Sequence, residues 1–414
     1  MTREHYIILL PPAFLVITTI VVIIVQIVPN PIFLAHGIWE RAANVLGTPL
    51  TSFISIAPHQ AAAAFGAPLA ALMAFFSAFL NSIKRDHARM LMTATAIASC
   101  LYAGYALICF LSRHSSILWS DRAQSFSVLT EPFVNRNHAA TFYGIASVLW
   151  FAFALAELRK PLRDTSVSTL DAMRAVVEES PMRLFGFLGA FMICITATFL
   201  TQSRAGIILT LAALLICFGI FAFRYFARHP KSWLVFAVTV LVFGLFVEIW
   251  GGAVAYRIGM IGLKDLGRWE TYSSTLRLIR DYPWMGTGFG SFETALPPYR
   301  SSDHATMIVW DHAHNTLLEL TAELGVVLAV ITLFTVTFLT IMLLRGALER
   351  RRDAVIPLAT FAAALLALTH SLIDFSLQIP ALAITFAALV GCGLARSLRS
   401  SNVTSRDDCD LTSG

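Results

Sequence analysis

Residues 324–344 read LGVVLAVITLFTVTFLTIMLL, a run of 21 residues without a charged side chain. As a helix, a run of this length crosses the ~30 Å hydrocarbon core of a bilayer. Similar runs recur along the whole chain, separated by polar connections. They lie at 7–28, 62–83, 90–112, 138–157, 183–200, 207–223, 233–250, 324–344, 354–373 and 381–398. The sequence therefore predicts an all-α, polytopic integral membrane protein with about ten transmembrane helices.

The composition points to the same class. Hydrophobic residues make up 57% of the 414 and charged residues only 13%, whereas soluble domains carry roughly 25% charge. The mean hydropathy is +0.72. The net charge of +5 reflects an uneven distribution of Lys and Arg between the connections, so it gives no reason to expect nucleic-acid binding.

The predicted spans divide the chain into four parts. These are helices 1 to 7 in 1–250, a large polar loop in 251–323, helices 8 to 10 in 324–398, and a tail in 399–414. The first apolar run is too long for the core of a cleaved signal peptide, so we expect it to remain as a helix. Five of the six cysteines fall in the spans and Cys409 in the tail, so we expect neither a disulfide nor a cysteine metal site.

Lys and Arg residues indicate the orientation of these spans. Alternate connections, starting with the N-terminus, hold 19 of them, and the other set holds 11, of which six lie in 251–323. Cytoplasmic connections carry the excess of Lys and Arg. Both termini are therefore predicted to be cytoplasmic, and the long loop is predicted to be external.

The long loop contains a predicted amphipathic helix. Its apolar residues at helical spacing are Trp269, Tyr272, Leu276 and Ile279, and its opposite face holds Glu270, Ser273, Arg277 and Arg280. Such a helix is expected to lie on or near the bilayer. It should end at Pro283, and the glycines that follow, Gly286, Gly288 and Gly290, predict turns that let the backbone approach a ligand closely.

Several arginines on the external side are candidate ligands for a phosphate group. Arg204 stands at the mouth of two spans that are joined only by 201–206. Arg268 begins the amphipathic helix, and Arg277 and Arg280 follow on it. Convergent guanidinium groups match the oxygens of a pyrophosphate and stabilise it as a leaving group. Arg204 and Arg268 have an alternative interpretation as anchors to lipid headgroups.

His314 is the candidate general base for a hydroxyl group. It precedes Asn315 and opens a run into the eighth span in which Glu319 and Glu323 recur at helical spacing. A metal pair of His312 and His314 with Asp311 or Asp303 is a weaker interpretation, because no helical spacing or third ligand supports it. A His that packs at a helix start would be the default if this residue stood alone.

Two further polar groups lie at external span ends. Asn135-Arg136-Asn137-His138 precedes the fourth span, where Asn137 is a candidate N-cap and Arg136 remains without a structural reason. His370 and Asp374 are four residues apart at the end of the ninth span, where the carboxylate could orient the imidazole. A purely structural pair is equally compatible with this spacing.

Five stretches resemble the O-antigen ligase and polymerase superfamily. They are FVNRNHAATFYG (133–144), SRAGIILTLAALL (203–215), RWETYSSTLRLIRDYPWMGTGFGSF (268–292), HAHNTLLELTAELGVV (312–327) and HSLIDFSLQIPA (370–381). Arg204 is similar to the family's span-mouth Arg, Arg268 to its loop Arg, and His314 to the His proposed as catalytic in ligases. The chain departs from the family at Leu328 and at Tyr272, which replaces the usual Trp.

The resemblance implies a GT-C-like membrane glycosyltransferase with a metal-independent, inverting reaction and no cofactor. Its donor would be a glycan on undecaprenyl pyrophosphate, and its acceptor would be lipid A-core for a ligase or another lipid-linked glycan for a polymerase. The site would face the periplasm from the bacterial inner membrane. By this analogy His314, Arg204 and Arg268 are catalytic. The substrate-binding candidates are Arg136, Asn137, Arg277, Arg280, Asn315, His370 and Asp374.

Other functions remain open from the sequence. A protein O-oligosaccharyltransferase shares the donor chemistry. A flippase or transporter for the same lipid would also present Arg to a pyrophosphate, but its charged residues should lie near the midplane of broken helices. Here they gather at external ends and in one loop, which favours the enzyme. A structural scaffold would leave this polar cluster unexplained.

The orientation can be tested by chemical labelling. A cysteine introduced at Ser301 should react with a membrane-impermeant thiol reagent in intact spheroplasts, and one at Ser401 should not. The excess of Lys and Arg near Ser401 retains that segment in the cytoplasm. Reversed labelling would invert the topology and remove the site from the periplasm.

Overall fold

The computed structural model describes residues 3–112, 116–117, 120–121, 128–159, 174, 178, 180–225, 244, 266–300, 310–350 and 353–398. Its helices are α1 (Arg3–Ile27), α2 (Ile38–Leu46), α3 (Ala61–Ser82), α4 (Arg85–Leu111), α5 (Arg136–Leu158), α6 (Pro181–Leu200), α7 (Arg204–Tyr225), α8 (Leu266–Asp281), α9 (Phe292–Ala295), α10 (Thr316–Leu324), α11 (Val326–Glu349), α12 (Val355–Ser371) and α13 (Pro380–Ser397). Short 3-10 helices cover Pro297–Tyr299 and Ser376–Gln378. Strands β1 (Ser116–Ile117) and β2 (Ser120–Asp121) form a small antiparallel pair.

The prediction of an all-α polytopic membrane protein is confirmed. Eight helices in the described part of the chain are long and apolar enough to cross a membrane: α1, α3, α4, α5, α6, α7, α11 and α13. The shorter apolar helix α12 lies within the predicted ninth run. These nine helices coincide with nine of the ten predicted runs, and the remaining run, 233–250, lies outside the described residues.

Helices α5 and α12 form the centre of the bundle. Most residues of both helices are buried. Helices α6 and α7 are joined by a tight turn, as predicted, but they diverge from it, and α5 packs against both of them. Close approach of α5 and α7 requires Gly206, because a Cβ at that position would overlap the side chain of Ala140.

A break at Gly325 separates α10 from α11, the helix that coincides with the predicted eighth span. Gly325 has φ +85°, and a Cβ there would overlap the carbonyl oxygen of Trp284. The glycine-rich segment 283–290 packs against this break. Backbone groups join the two: Val326 N donates to Pro283 O at 2.8 Å, and Thr287 N donates to Ala322 O at 2.9 Å. The predicted turns therefore serve to pack the loop against a broken helix.

The predicted helix of the long loop is present as α8. Its residues Thr271, Ser274, Thr275 and Leu278 are buried against the protein. Trp269 and Leu276, which belong to the predicted apolar face, are exposed by 59% and 55%. The helix therefore leaves Trp269 and Leu276 of the predicted apolar face uncovered by protein, whereas Ile279 of the same face packs against buried residues.

Candidate active site

A cavity of about 1580 Å³ lies where α4, α5 and α13 meet the loop segments. Its charged, amide and imidazole lining residues are Asn135, Arg136, Asn137, His138, Arg268, Asp311 and His314. Along α4 and α13 the lining is mostly apolar and small, with Ala94, Ala98, Ala381, Ile384 and Ala388 among its residues. Candidates from three separate stretches of sequence, Arg136 with Asn137, Arg268, and His314, thus share one cavity.

His314 is fixed in an unusual backbone conformation at the edge of this cavity. Its φ is +51°, a region that few residues other than glycine adopt. The hydroxyl of Tyr272 donates to its carbonyl oxygen at 2.9 Å. The imidazole side chain is 16% exposed, and its Nδ1 lies 3.4 Å from Oδ1 of Asp374. The ring therefore has a buried carboxylate on one side and the cavity on the other.

Asp374 is a fully buried carboxylate beside this imidazole. Its Oδ1 also accepts a hydrogen bond from the backbone N–H of Phe375 at 2.9 Å. Burial alone would raise the pKa of Asp374, but contact with His314 and the charges of His370, His138 and Arg268 hold it at about 2. Asp374 is therefore ionised at neutral pH and can orient His314 and stabilise its protonated form.

His370 and Asp374 do not form the hydrogen-bonded pair that the spacing suggested. Helix α12 ends at Ser371, so the spacing of four residues does not place both side chains on one helical turn. The imidazole of His370 instead forms a hydrogen bond with the hydroxyl of Thr141 on α5. His370 is only 1% exposed and does not line the cavity.

Asn135, not Asn137, caps α5, so the predicted cap is also wrong. The Oδ1 of Asn135 accepts from the backbone N–H of Asn137 at 2.8 Å. This leaves the side chain of Asn137 to accept a hydrogen bond from Ser203 Oγ at 2.8 Å. Arg204, the first residue of α7, follows Ser203 directly. Arg204 does not line the cavity, but this contact ties the start of α7 to the cavity wall.

Arg268 approaches the same group from α8. Its Nη1 donates to the carbonyl oxygen of Ile373 at 2.6 Å, next to Asp374 in the chain. The other two arginines of α8 do not line the cavity: Arg277 donates to the carbonyl oxygen of Tyr299, and Arg280 is exposed. The structure thus distinguishes Arg268 from two arginines that looked equivalent in the sequence.

Both polar atoms of the Asn315 side-chain amide form hydrogen bonds with the protein backbone. Its Oδ1 accepts from Leu318 N at 3.0 Å, which makes it the N-cap of α10. Its Nδ2 donates to the carbonyl oxygen of Leu372 at 2.7 Å. These bonds fix the start of α10, and His314 immediately before it, against the turn that carries Asp374.

His312 occupies a different environment from His314, two residues away. Its Nδ1 lies 2.8 Å from Oε1 of Glu319, and the second oxygen of Glu319 accepts from Ala313 N at 2.7 Å. Burial would lower the pKa of His312, but the contact with Glu319 and other nearby carboxylates raises it. In the described part of the chain no three His, Cys, Asp or Glu residues are grouped to hold a metal ion, and Asp303 lies outside it.

Phe375 is a site residue that the sequence did not reveal. Its ring centroid lies 4.3 Å from that of His312, 4.6 Å from that of His138 and 4.8 Å from that of His314. The ring is buried and separates the three imidazoles. The only signal in the sequence is its position next to Asp374, because the histidines that it contacts come from two distant stretches.

Residues 189–333 match the O-antigen ligase family. This match confirms the resemblance to the O-antigen ligase and polymerase superfamily, and it covers Arg204, Arg268 and His314. No curated protein matches the chain. Arg136 and Asp374 lie outside the matched segment, so their place in the site comes from the structure.

Glu323 provides a pH-dependent test of the helix that follows His314. Its Oε1 accepts from Phe292 N at 3.0 Å. Burial, together with the charge of Glu319, raises the pKa of Glu323 to about 8. Between the pKa of the unfolded chain and about 8, the Glu323 carboxyl group is therefore protonated in the folded protein and ionised in the unfolded chain. The stabilisation is complete below the unfolded pKa and is lost as the pH rises through about 8.

We therefore expect Glu323→Gln to make the unfolding temperature less dependent on pH. Relative to the wild type, the variant should gain stability from pH 5 to pH 8, because glutamine has no proton to lose. Thermal unfolding of the detergent-solubilised protein measures this, with the exposed Glu293→Gln as the matched control. If the unfolding temperatures of Glu323→Gln and the wild type changed with pH in the same way, Glu323 would not be protonated in the folded protein.

Proposed function

We propose that this protein transfers a glycan from a lipid-linked diphosphate to a hydroxyl group of an acceptor, in the periplasm. The observation that carries the proposal is the meeting of His314, supported by Asp374, with Arg136 and Arg268 in one cavity. A base for a hydroxyl and cations for a diphosphate are the two requirements of this reaction. The family match supports a ligase-type or polymerase-type enzyme.

His314 acts as the general base. It removes the proton from the acceptor hydroxyl while that oxygen attacks the first carbon of the donor sugar. The bond from this carbon to the diphosphate oxygen breaks, and the leaving diphosphate keeps the electron pair. Attack opposite the leaving group inverts the sugar carbon. Because Asp374 is ionised and close to Nδ1 of His314, it favours the protonated imidazole formed in this step.

Arg268 and Arg136 bind the diphosphate and stabilise the charge that develops on it. Both line the cavity but come from different helices, so they can approach the group from two sides. Guanidinium groups offer paired donors that match phosphate oxygens. Arg204 does not line the cavity but is joined to its wall through Ser203 and Asn137, and its part in catalysis stays a prediction. No metal ion or other cofactor is needed for this charge compensation.

The apolar side of the cavity accommodates the lipid part of the donor. Small residues of α4 and α13, such as Ala94, Ala98 and Ala388, line it, and both helices are candidate spans. A chain such as undecaprenyl would lie along this groove with its diphosphate at the arginines. The acceptor is lipid A-core for a ligase or a second lipid-linked glycan for a polymerase. Both termini lie in the cytoplasm, and the site faces outward from the inner membrane.

Substitution of His314 tests the base. His314→Asn keeps a side chain that tolerates positive φ, so it separates loss of the base from backbone strain. We expect glycan transfer to fall by about 10²- to 10⁴-fold at normal membrane levels, with accumulation of the lipid-linked donor. Transfer is measured with purified protein and a lipid-linked glycan.

The matched control is His312→Gln, which alters a nearby imidazole that does not line the cavity. Its transfer rate should fall much less than that of His314→Asn. If both variants lose activity equally and EDTA inactivates the wild type, a metal pair replaces the general base. Transfer at the wild-type rate in His314→Asn would refute the assignment of the base.

Arg268 provides a test of the diphosphate ligand. Arg268→Lys keeps the positive charge but lacks the paired donors, so we expect it to lose most of the activity that Arg268→Ala loses. Arg280→Ala, on the same helix but outside the cavity, should transfer glycan like the wild type. If Arg268→Lys and Arg268→Ala both kept full activity at equal expression, Arg268 would not bind the diphosphate and would only contact lipid headgroups.

A further inference from the structure

Gln26, near the end of α1, uses its whole side-chain amide to join two distant segments. Its Nε2 donates to the carbonyl oxygens of Met285 at 2.6 Å and Glu323 at 2.7 Å. Its Oε1 accepts from the backbone N–H of Phe289 at 3.0 Å. The residue is completely buried. A buried amide is costly unless it is hydrogen-bonded, and this one is bonded at both ends.

The two segments that Gln26 joins meet at the break between α10 and α11. Met285 and Phe289 belong to the glycine-rich segment 283–290, and Glu323 is near the end of α10. The carbonyl oxygen of Glu323 also accepts from Gly288 N at 3.1 Å. A break between two helices leaves backbone groups without helical partners, and where these groups are buried they need other hydrogen-bond partners. Gln26 supplies donors to both sides of this break together.

Helix α10 connects the break with the candidate base. It has nine residues, which is about 14 Å of helix, and His314 stands just before its N-cap, Asn315. A short helix packed on both sides transmits a shift at one end to the other as a rigid element. The position of its end at Glu323 therefore affects the distance between His314 and Asp374 at its start.

We propose that Gln26 is a positioning residue that sets His314 against Asp374 through α10. The inference rests on the proposed role of His314 as the base, and it extends the functional apparatus to α1, which lies outside the matched segment 189–333. Gln26 itself does not line the cavity. Its removal should therefore affect the rate of the chemical step and leave donor binding intact.

The test uses the full-length protein in nanodiscs with Gln26→Met, which keeps the side-chain length but removes the donors. We expect kcat to fall about 10- to 100-fold, because a misplacement near 1 Å costs about that much, while KM for the donor changes less than about twofold. Thr19→Val is the matched control. Thr19 lies on the same helix and donates only to its own helix at Leu15, so both constants should remain unchanged.

Backbone hydrogen exchange provides a readout that does not depend on activity. In Gln26→Met, exchange should become faster in 285–292 and also in 312–319, where Ala313 N and Leu318 N are hydrogen-bonded. Exchange in α5 should stay the same. Gln26→Asn has a shorter side chain whose amide cannot reach both segments, so it should show the same exchange pattern. It replaces Gln26→Met in the test if that variant does not accumulate.

The outcomes separate this inference from the proposed function. Faster exchange restricted to 285–292 with unchanged kcat would overturn the positioning role, and so would an equal effect of Thr19→Val. A fall in kcat matched by a rise in KM would also overturn it. If the wild type shows no glycan transfer, the proposed function fails, and exchange at 312–319 still decides whether Gln26 controls the position of His314.

Discussion

The break between α10 and α11 at Gly325 is the constraint on which the site depends. A helix continuous from α10 into α11 would satisfy its own backbone hydrogen bonds. With the break, the start of α10 lies beside the turn after α12, where Nδ1 of His314 is 3.4 Å from Oδ1 of Asp374. Segment 283–290 forms hydrogen bonds with the backbone groups that the break exposes. This close packing requires glycine at positions 286 and 325, because any Cβ there would overlap backbone atoms. One local feature thus determines the geometry of the loop, α10 and the base.

Electrostatics adds a second constraint at the buried carboxylate of Asp374. A carboxylate with no exposed surface is strongly destabilising unless cations or donors surround it. Here the imidazole of His314, the N–H of Phe375 and the charge of Arg268 do so. The same groups form the wall of the cavity. Retaining Asp374 in ionised form therefore also holds His314, the candidate base, near Arg268, the candidate phosphate ligand.

The sequence predicted the spans and part of the site, for reasons that are physical. Hydropathy is a local property, so nine described helices match predicted runs. The convergence of Arg136, Arg268 and His314 also follows from a local property, because each stands at a span end or in the loop on the predicted external side. The position of α8 in the sequence, however, did not show that Arg268 faces the cavity while Arg277 and Arg280 do not.

The incorrect predictions used rules that consider only neighbouring residues, and in each case a contact with a distant part of the chain decides the structure. The spacing of His370 and Asp374 suggested one helical turn, but α12 ends between them and Asp374 turns to His314 instead. Asn137 looked like a cap, whereas Asn135 fills that role and frees Asn137 for Ser203. Phe375 and Gln26 could not be recognised at all, since their partners lie far away in the chain. Residues 233–250 and 301–309 lie outside the described structure, and the predictions that fall there stay predictions.

The placement of the functional groups at helix ends has a further electrostatic consequence. Arg136 is the first residue of α5, and its side chain lines the cavity. The first turn of a helix carries unpaired N–H groups and a partial positive charge. The start of α5 therefore adds to the positive field of the Arg136 guanidinium at the cavity. A diphosphate bound as proposed would meet a field built from backbone as well as side chains, and an arginine at a helix start avoids the cost of a charge in the hydrocarbon core.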